Sequence, residues 1–283
     1  MSAGKPTTAA AADFGTRLVA AVAAHGPLCA GIDPHPSLLA EWGLTDDPDG
    51  LDRFVAACVE ALAGHVAVVK PQSAFFERHG SRGIAVLERL LAGFAGSGTL
   101  TLLDVKRGDI GSTMDGYADA YLAVGAPLGA DAVTLSPYLG FGSLEPALAA
   151  AADAGRGVFV LARTSNPEGG EVQRAAVAGR SVAQGVVDAA AERNAGADPL
   201  GAVGVVIGAT HDHGLDLSRL HGPVLAPGVG AQGAGPAEIA ARFCGLDGLV
   251  IPAAARSVLA AGPDPAAVRA AAHALRDDLA TTV

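Results

Sequence analysis

The segment Thr101-Leu102-Leu103-Asp104-Val105-Lys106-Arg107-Gly108-Asp109-Ile110 sets two carboxylates and an amine at the end of an apolar run. The two-residue period of a strand places Asp104 and Lys106 on one face, while the glycine-containing turn either brings Asp109 near them or aims it elsewhere. A lysine among carboxylates is held as ammonium, because opposite charges favour the charged form. Such a group suits proton donation, whereas a Schiff-base lysine needs surroundings that lower its pKa. The plainer reading is an ion-paired strand end. A second segment, Pro227-Gly228-Val229-Gly230-Ala231-Gln232-Gly233, is followed after one more apolar run by Arg256-Ser257. Glycines let backbone N–H groups approach a phosphate closely, and Arg256 could clamp it with a bidentate guanidinium.

The glycines also match the G-x-G-x-x-G of a dinucleotide fold. That fold would need an acid at the end of the next strand, whereas Asp247 precedes it and few residues remain to complete the unit. His211-Asp212-His213 could be a metal pair, but no further ligand cluster stands nearby at the required spacing, which favours a solvated loop. Ser136 and Ser165 lack a nucleophile elbow. Phe75 and Phe76 read as packing residues, and His25, His65, His79, His221 and His273, without polar company in sequence, as structural or exposed.

The elements that position these residues follow from hydrophobic patterning. Short runs rich in Val, Leu and Ile predict eight strands at Leu28 to Ile32, Val66 to Val69, Leu100 to Val105, Ala132 to Leu135, Val158 to Leu161, Val203 to Ile207, Val224 to Leu225 and Leu249 to Ile251. Amphipathic stretches lie between them, among them Leu51 to Leu62, Ile84 to Phe94, Met114 to Val124, Leu144 to Ala152 and Gly179 to Asn194, each long enough for a right-handed crossover. Eight strands alternating with eight helices predict a (β/α)₈ barrel, in one domain over residues 1–283 with a flexible segment 1–12 at its start. Polar or glycine-rich sequence follows the strands, as in Asp33-Pro34, Lys70-Pro71-Gln72 and Arg163-Thr164-Ser165-Asn166-Pro167. In such a barrel these loops open on one face, where the charges of the Asp104 segment favour chemistry over a bare ion pair.

Composition narrows the function classes. The chain has 283 residues, half of them hydrophobic, which excludes a disordered or fibrous protein. Its 19 Lys and Arg against 29 Asp and Glu give a net charge of −10, which disfavours binding to nucleic acid or an anionic membrane. An anionic ligand must therefore be held by local amides and one or two cations. Cys29, Cys58 and Cys244 stand far apart and read as buried free thiols. With no signal-peptide pattern and no run of about 18 apolar residues, the expectation is a cytoplasmic protein.

Taken together, Asp104, Lys106 and Asp109, the early Gly31-Ile32-Asp33-Pro34, the Lys70-Pro71-Gln72 step, Arg163 to Pro167 and the Pro227 to Gly233 loop resemble the orotidine 5′-phosphate decarboxylase family. The likeness runs from about Gly31 to Ser257 and is nearest to the longer bacterial subfamily, with K-P-Q-x-A-F-F-E at Lys70 to Glu77. The resemblance implies the step of pyrimidine synthesis that converts orotidine monophosphate to UMP and CO₂ without metal or organic cofactor. It implies Lys106 as proton donor to C6, Asp104 facing the departing carboxylate, Asp33 and Lys70 at the ribose hydroxyls, and Ser165 at the pyrimidine edge. Pro227, Gln232 and Arg256 would lie at the phosphate. Asp109, with Ile110 and Thr113, would cross into a partner's site in a homodimer. Two features depart from the motifs. Asn166 to Glu171 is acidic close to an anionic substrate, so its carboxylates are expected to point outward or the loop to move, and Gly262 to Val283 carries no motif beyond a last helix. The competing readings are a Mg²⁺-dependent sugar-phosphate decarboxylase or aldolase of the same superfamily, and a silent barrel that only binds a phosphorylated ligand.

Overall fold

The computed structural model describes residues 12–230 and 235–280, so the expected flexible segment lies almost wholly outside the described residues. Eight parallel strands close into a (β/α)₈ barrel in sequential order: β1 Cys29–Ile32, β2 Val68–Pro71, β3 Leu100–Arg107, β4 Ala132–Leu135, β5 Gly157–Arg163, β6 Val203–Ile207, β7 Gly222–Pro227 and β8 Gly248–Ala254. The ring is sealed where Cys29 and Ala30 of β1 pair with Ala253 and Ala254 of β8. The strands are buried on both faces, which is why they read as continuous apolar runs without alternation. Leu102, Phe159, Val206, Leu225 and Ile251 fill the interior, while residues such as Val69, Leu103 and Val205 pack outward against the helices.

A helix precedes the first strand. In α1, Phe14–His25, the Asp13 carboxylate caps the first turn by accepting from Thr16 N at 2.8 Å. The helix lies across the end where the strands begin. Phe14 meets Phe159 edge to face at 6.0 Å between ring centroids. It has room because β5 starts with Gly157, where a Cβ would come 2.3 Å from the Phe14 ring. Gly15 likewise lies against the backbone, with a Cβ there 1.9 Å from the Leu200 carbonyl oxygen.

The outer ring comprises α2 Pro48–Leu62, α3 Gly80–Phe94, α4 Gly111–Leu122, α5 Glu145–Asp153, α6 Val182–Asn194, α7 Pro236–Arg242 and α8 Pro265–Ala280, the last being the expected terminal helix. Asp47 caps α2 by accepting from Gly50 N at 2.8 Å, with Pro48 in the first helical position where its missing N–H costs nothing. The start of α6 falls later than the patterning implied, because Ala176–Val177 and Arg180–Ser181 form a small antiparallel hairpin and Ser181 then caps the helix. One expected helix is missing. Among the described residues β6 joins β7 through a loop, 208–221, whose buried Leu217 and Leu220 take the place of a helix face. Gln184 of α6 fastens this loop by donating to the Asp216 carbonyl at 3.0 Å and accepting from its N–H at 2.8 Å.

One local expectation is corrected, and two histidines read as structural or exposed show what they touch. Cys29 and Cys58 are buried, and burial pushes the Cys29 thiol up to about 12, but Cys244 is exposed on the turn that ends α7. His221 has polar company after all: Nδ1 lies 3.2 Å from the Asp247 carboxylate and Nε2 3.1 Å from the Ala197 carbonyl. The hydrogen bond to Asp247 is the main reason its pKa is raised. His79 stands 3.5 Å from Asp46, whose carboxylate also accepts from the neighbouring Arg78 at 2.9 Å.

Candidate active site

Parallel strands of a barrel deliver their C-terminal residues to one rim, and that rim gathers the charged residues here. Up to Leu103, β3 runs in register with β4, pairing Leu103 with Val133. The next pair is Arg107 with Leu135, so Asp104, Val105 and Lys106 all stand opposite Thr134. This bulge is built around Lys106, whose φ of +45° lies in the left-handed region. For a residue other than glycine that conformation costs about 1–3 kcal/mol. The Lys106 N–H, freed from the ladder, donates to Thr134 Oγ1 at 2.9 Å.

Asp104 lies buried at the centre of the rim. Oδ1 accepts from Lys106 Nζ at 2.6 Å and from Thr134 Oγ1 at 2.7 Å. Oδ2 accepts from Lys70 Nζ at 3.2 Å and Gln72 Nε2 at 2.9 Å. Burial alone would raise this carboxyl, but Lys70 and Lys106, with the hydrogen bonds of Lys106 and Thr134, hold it at about 2. Burial works in the same sense against the Lys70 ammonium, and there Asp33 and Asp104 win, raising its pKa. Asp33 closes the row with Oδ1 3.9 Å from Lys70 Nζ, and that oxygen is buried without a hydrogen-bond partner. Carboxylate and ammonium thus alternate across Asp33, Lys70, Asp104 and Lys106. Only Lys106 is substantially open to solvent, its side chain 43% exposed.

Neighbouring groups brace this row. Ser73 N donates to the Asp104 carbonyl at 3.2 Å, and Ser73 Oγ donates to Glu77 Oε1 at 2.6 Å. The same carboxylate oxygen accepts from Arg107 at 2.7 Å, tying the end of β3 to the Ala74–Glu77 turn. Phe76 is buried as expected, while half-buried Phe75 meets His35 in a tilted ring contact at 4.2 Å between centroids.

Two cavities of about 540 and 510 Å³ adjoin at Asp33 and His35. One holds Lys106, Asp104 and Gln72, and the other reaches Pro227, Gly228 and Arg256. Gly228 and Gly230 have φ of +107° and +74°, and a Cβ on Gly230 would lie 2.3 Å from Ser257 Oγ. The β7 loop therefore passes directly beside the residues that follow β8. Arg256 is exposed, and its guanidinium makes no hydrogen bond or ion pair among the described residues. Ser165 sits half-buried at the end of β5, against Gly208. Gln232 lies outside the described residues.

The structure thus brings Asp33, Lys70, Asp104 and Lys106 together and sets Pro227 and Arg256 across the adjoining cavity. It leaves Asp109, Ile110 and Thr113 apart. Gly108 passes so close to Ser136 that a Cβ would lie 2.2 Å from its carbonyl oxygen, and the chain then turns outward into α4. Asp109 Oδ1 accepts from Ile110 N at 2.8 Å, Ile110 is 62% exposed, and Thr113 is exposed. The turn was open to either direction in sequence, and among the described residues Asp109 forms no ion pair with Lys106. Glu168 and Glu171 point outward as expected. His213 is occupied within its loop: Nδ1 accepts from Leu215 N at 3.0 Å, so Nε2 is the donor to the Arg242 carbonyl at 2.8 Å. His211 and His213 lie in the 208–221 loop, as read from the sequence. Thr134, Gln72 and His35 had been given no role. The hint available for Gln72 was its place in the motif after Lys70, and for Thr134 a lone hydroxyl in an apolar strand.

Comparison with known proteins agrees with this geometry. The family model described as "Orotidine 5′-phosphate decarboxylase / HUMPS family" matches residues 26–271. An orotidine 5′-phosphate decarboxylase of Salinispora arenicola is 60% identical over 94% of this chain and 96% of its own length. That of Streptomyces coelicolor is 54% identical over 95% and 98%. A crystal structure from Streptomyces avermitilis, provisionally named orotidine 5′-phosphate decarboxylase, superposes with a TM-score of 0.95 at 52% identity over 99% of both chains. Leishmania donovani OMP decarboxylase superposes with a TM-score of 0.72 at 28% identity over 95% of this chain and 98% of that one. With a family model spanning most of its length and relatives more than half identical to it, the chain belongs to the orotidine 5′-phosphate decarboxylase / HUMPS family.

Proposed function

We propose that this protein decarboxylates orotidine 5′-monophosphate to UMP, with Lys106 as the acid. The observation that carries the reading is the alternating row Asp33, Lys70, Asp104 and Lys106 beside a cavity that ends at Arg256, whose guanidinium has no partner among the described residues. The reaction breaks the bond between C6 and the carboxyl group, CO₂ leaves, and the electron pair stays on C6. A preorganised cation at that carbon stabilises the developing charge in a site of low dielectric. The Lys106 ammonium then gives C6 its proton, and the exposed amine regains one from water. Asp104 has both oxygens engaged by cations and neutral donors. That supports a carboxylate that stays ionised beside the departing group and fixes Lys106 in place.

The unsatisfied Asp33 Oδ1 and its neighbour Lys70 suit the ribose hydroxyls, one as acceptor and the other as donor. Arg256 suits the phosphate, with the glycines after Pro227 allowing backbone N–H groups to approach it; Gln232, which follows them in sequence, takes the same role. Ser165 faces the pyrimidine edge. Asp109, Ile110 and Thr113 serve the partner's site in a homodimer, a reading supported by the exposed apolar side chains of Ile110, Tyr138 and Leu139.

The test is an ultraviolet assay of the purified protein with orotidine monophosphate in the presence of EDTA, with UMP identified by chromatography. Turnover with chelator present is the expected result. No turnover by folded protein, or activity abolished by chelator, would overturn this reading in favour of a Mg²⁺-dependent sugar-phosphate enzyme or a silent binder.

A further inference from the structure

Thr134 is 1% exposed and lies opposite the bulge of β3, where one residue of β4 faces Asp104, Val105 and Lys106. Its hydroxyl makes two hydrogen bonds of opposite sense: it accepts from the Lys106 N–H at 2.9 Å and donates to Asp104 Oδ1 at 2.7 Å. A hydroxyl has one proton to give, and here that proton goes to Asp104. The same Asp104 oxygen receives Lys106 Nζ at 2.6 Å. Backbone, hydroxyl, carboxylate and ammonium therefore close a ring that begins and ends at Lys106, through one buried side chain from another strand.

We infer that Thr134 is a positioning residue for the decarboxylation proposed above: its hydroxyl stabilises the left-handed backbone at Lys106 and orients Asp104, so that the Lys106 ammonium is fixed over the reacting carbon. The inference rests on that functional reading. A group that only filled the core would be replaced by valine, of the same shape, with little consequence for the chemical step. The ring makes a different demand. Valine leaves the Lys106 N–H without an acceptor and removes one donor from Asp104, both beside the proton donor, whereas serine keeps both hydrogen bonds and loses only a methyl group.

The experiment compares wild type, Thr134→Val and Thr134→Ser in the full-length protein, with kcat and KM for orotidine monophosphate and the melting temperature of each. Thr134→Val is expected to lower kcat about ten- to a hundredfold while KM moves less than about threefold, the pattern of a lost transition-state interaction. Thr134→Ser is expected to restore kcat to within about threefold of wild type, because it keeps the network. A valine variant with unchanged kcat would overturn the inference, as would a serine variant as slow as valine. If valine does not fold, the serine variant is compared with Thr134→Ala, and equal kcat in the two overturns it. Failure of the wild type to turn over orotidine monophosphate counts against the functional reading itself, so the two failures are distinct.

Discussion

An ionised carboxylate offers about four lone-pair positions, and Asp104 engages as many donors with Lys70, Gln72, Lys106 and Thr134. Its folded pKa of about 2 lies below that of an unfolded aspartate, so it stabilises the fold fully above about pH 4. That contribution is lost as pH falls through about 2. Acid unfolding followed by circular dichroism should therefore be less steep between those limits in Asp104→Asn, and an unaltered curve would refute the assignment. Lys106→Ala is expected to lower kcat by at least about 10³-fold with the fold intact, since it removes both the proton and the charge at C6. Arg256→Ala should act through the phosphate, raising KM more than it lowers kcat. Unchanged KM would remove Arg256 from the phosphate site. The acids and bases were legible in sequence because they sit at strand ends in an otherwise apolar pattern. Thr134 was not, since its role depends on a register shift between two strands that no local spacing records.

At the level of elements, the eight strands stood out because parallel strands buried on both faces are short and apolar, and the observed ends differ from the expected ones by up to three residues. The missing helix between β6 and β7 was beyond patterning, because two buried leucines in a loop cover a barrel as a helix would. The bulge in β3 was equally hidden: alternation already placed Asp104 and Lys106 on one side, and it was the left-handed Lys106 that set how they meet. The role of α1 makes a separate prediction. Phe14 packs at the end of the barrel opposite the charged rim, so Phe14→Ala should cost about 3–5 kcal/mol of stability and lower the melting temperature. The KM for orotidine monophosphate should stay as in wild type. A large rise in KM would mean that the two ends of the barrel are coupled.

For the whole molecule, a chain of net charge −10 that binds an anion must do so against its own field. The structure concentrates its answer in Lys70, Lys106 and Arg256 at one rim, so added salt should screen the opposing field more than these close contacts. The proposed homodimer makes a sharper claim. Ile110→Asp puts a charge into the exposed apolar surface beside Asp109, and analytical ultracentrifugation should then show monomers with reduced turnover. Dimers of undiminished activity would show that the partner's contribution does not pass through this face. Finally, Phe14 and Leu18 of α1, with Phe159, stopper the barrel at its lower end, which makes the barrel a cup with no drain. Gas and nucleotide formed at the rim must leave through the same opening, and whatever covers the nucleotide there also stands in the path of the carbon dioxide.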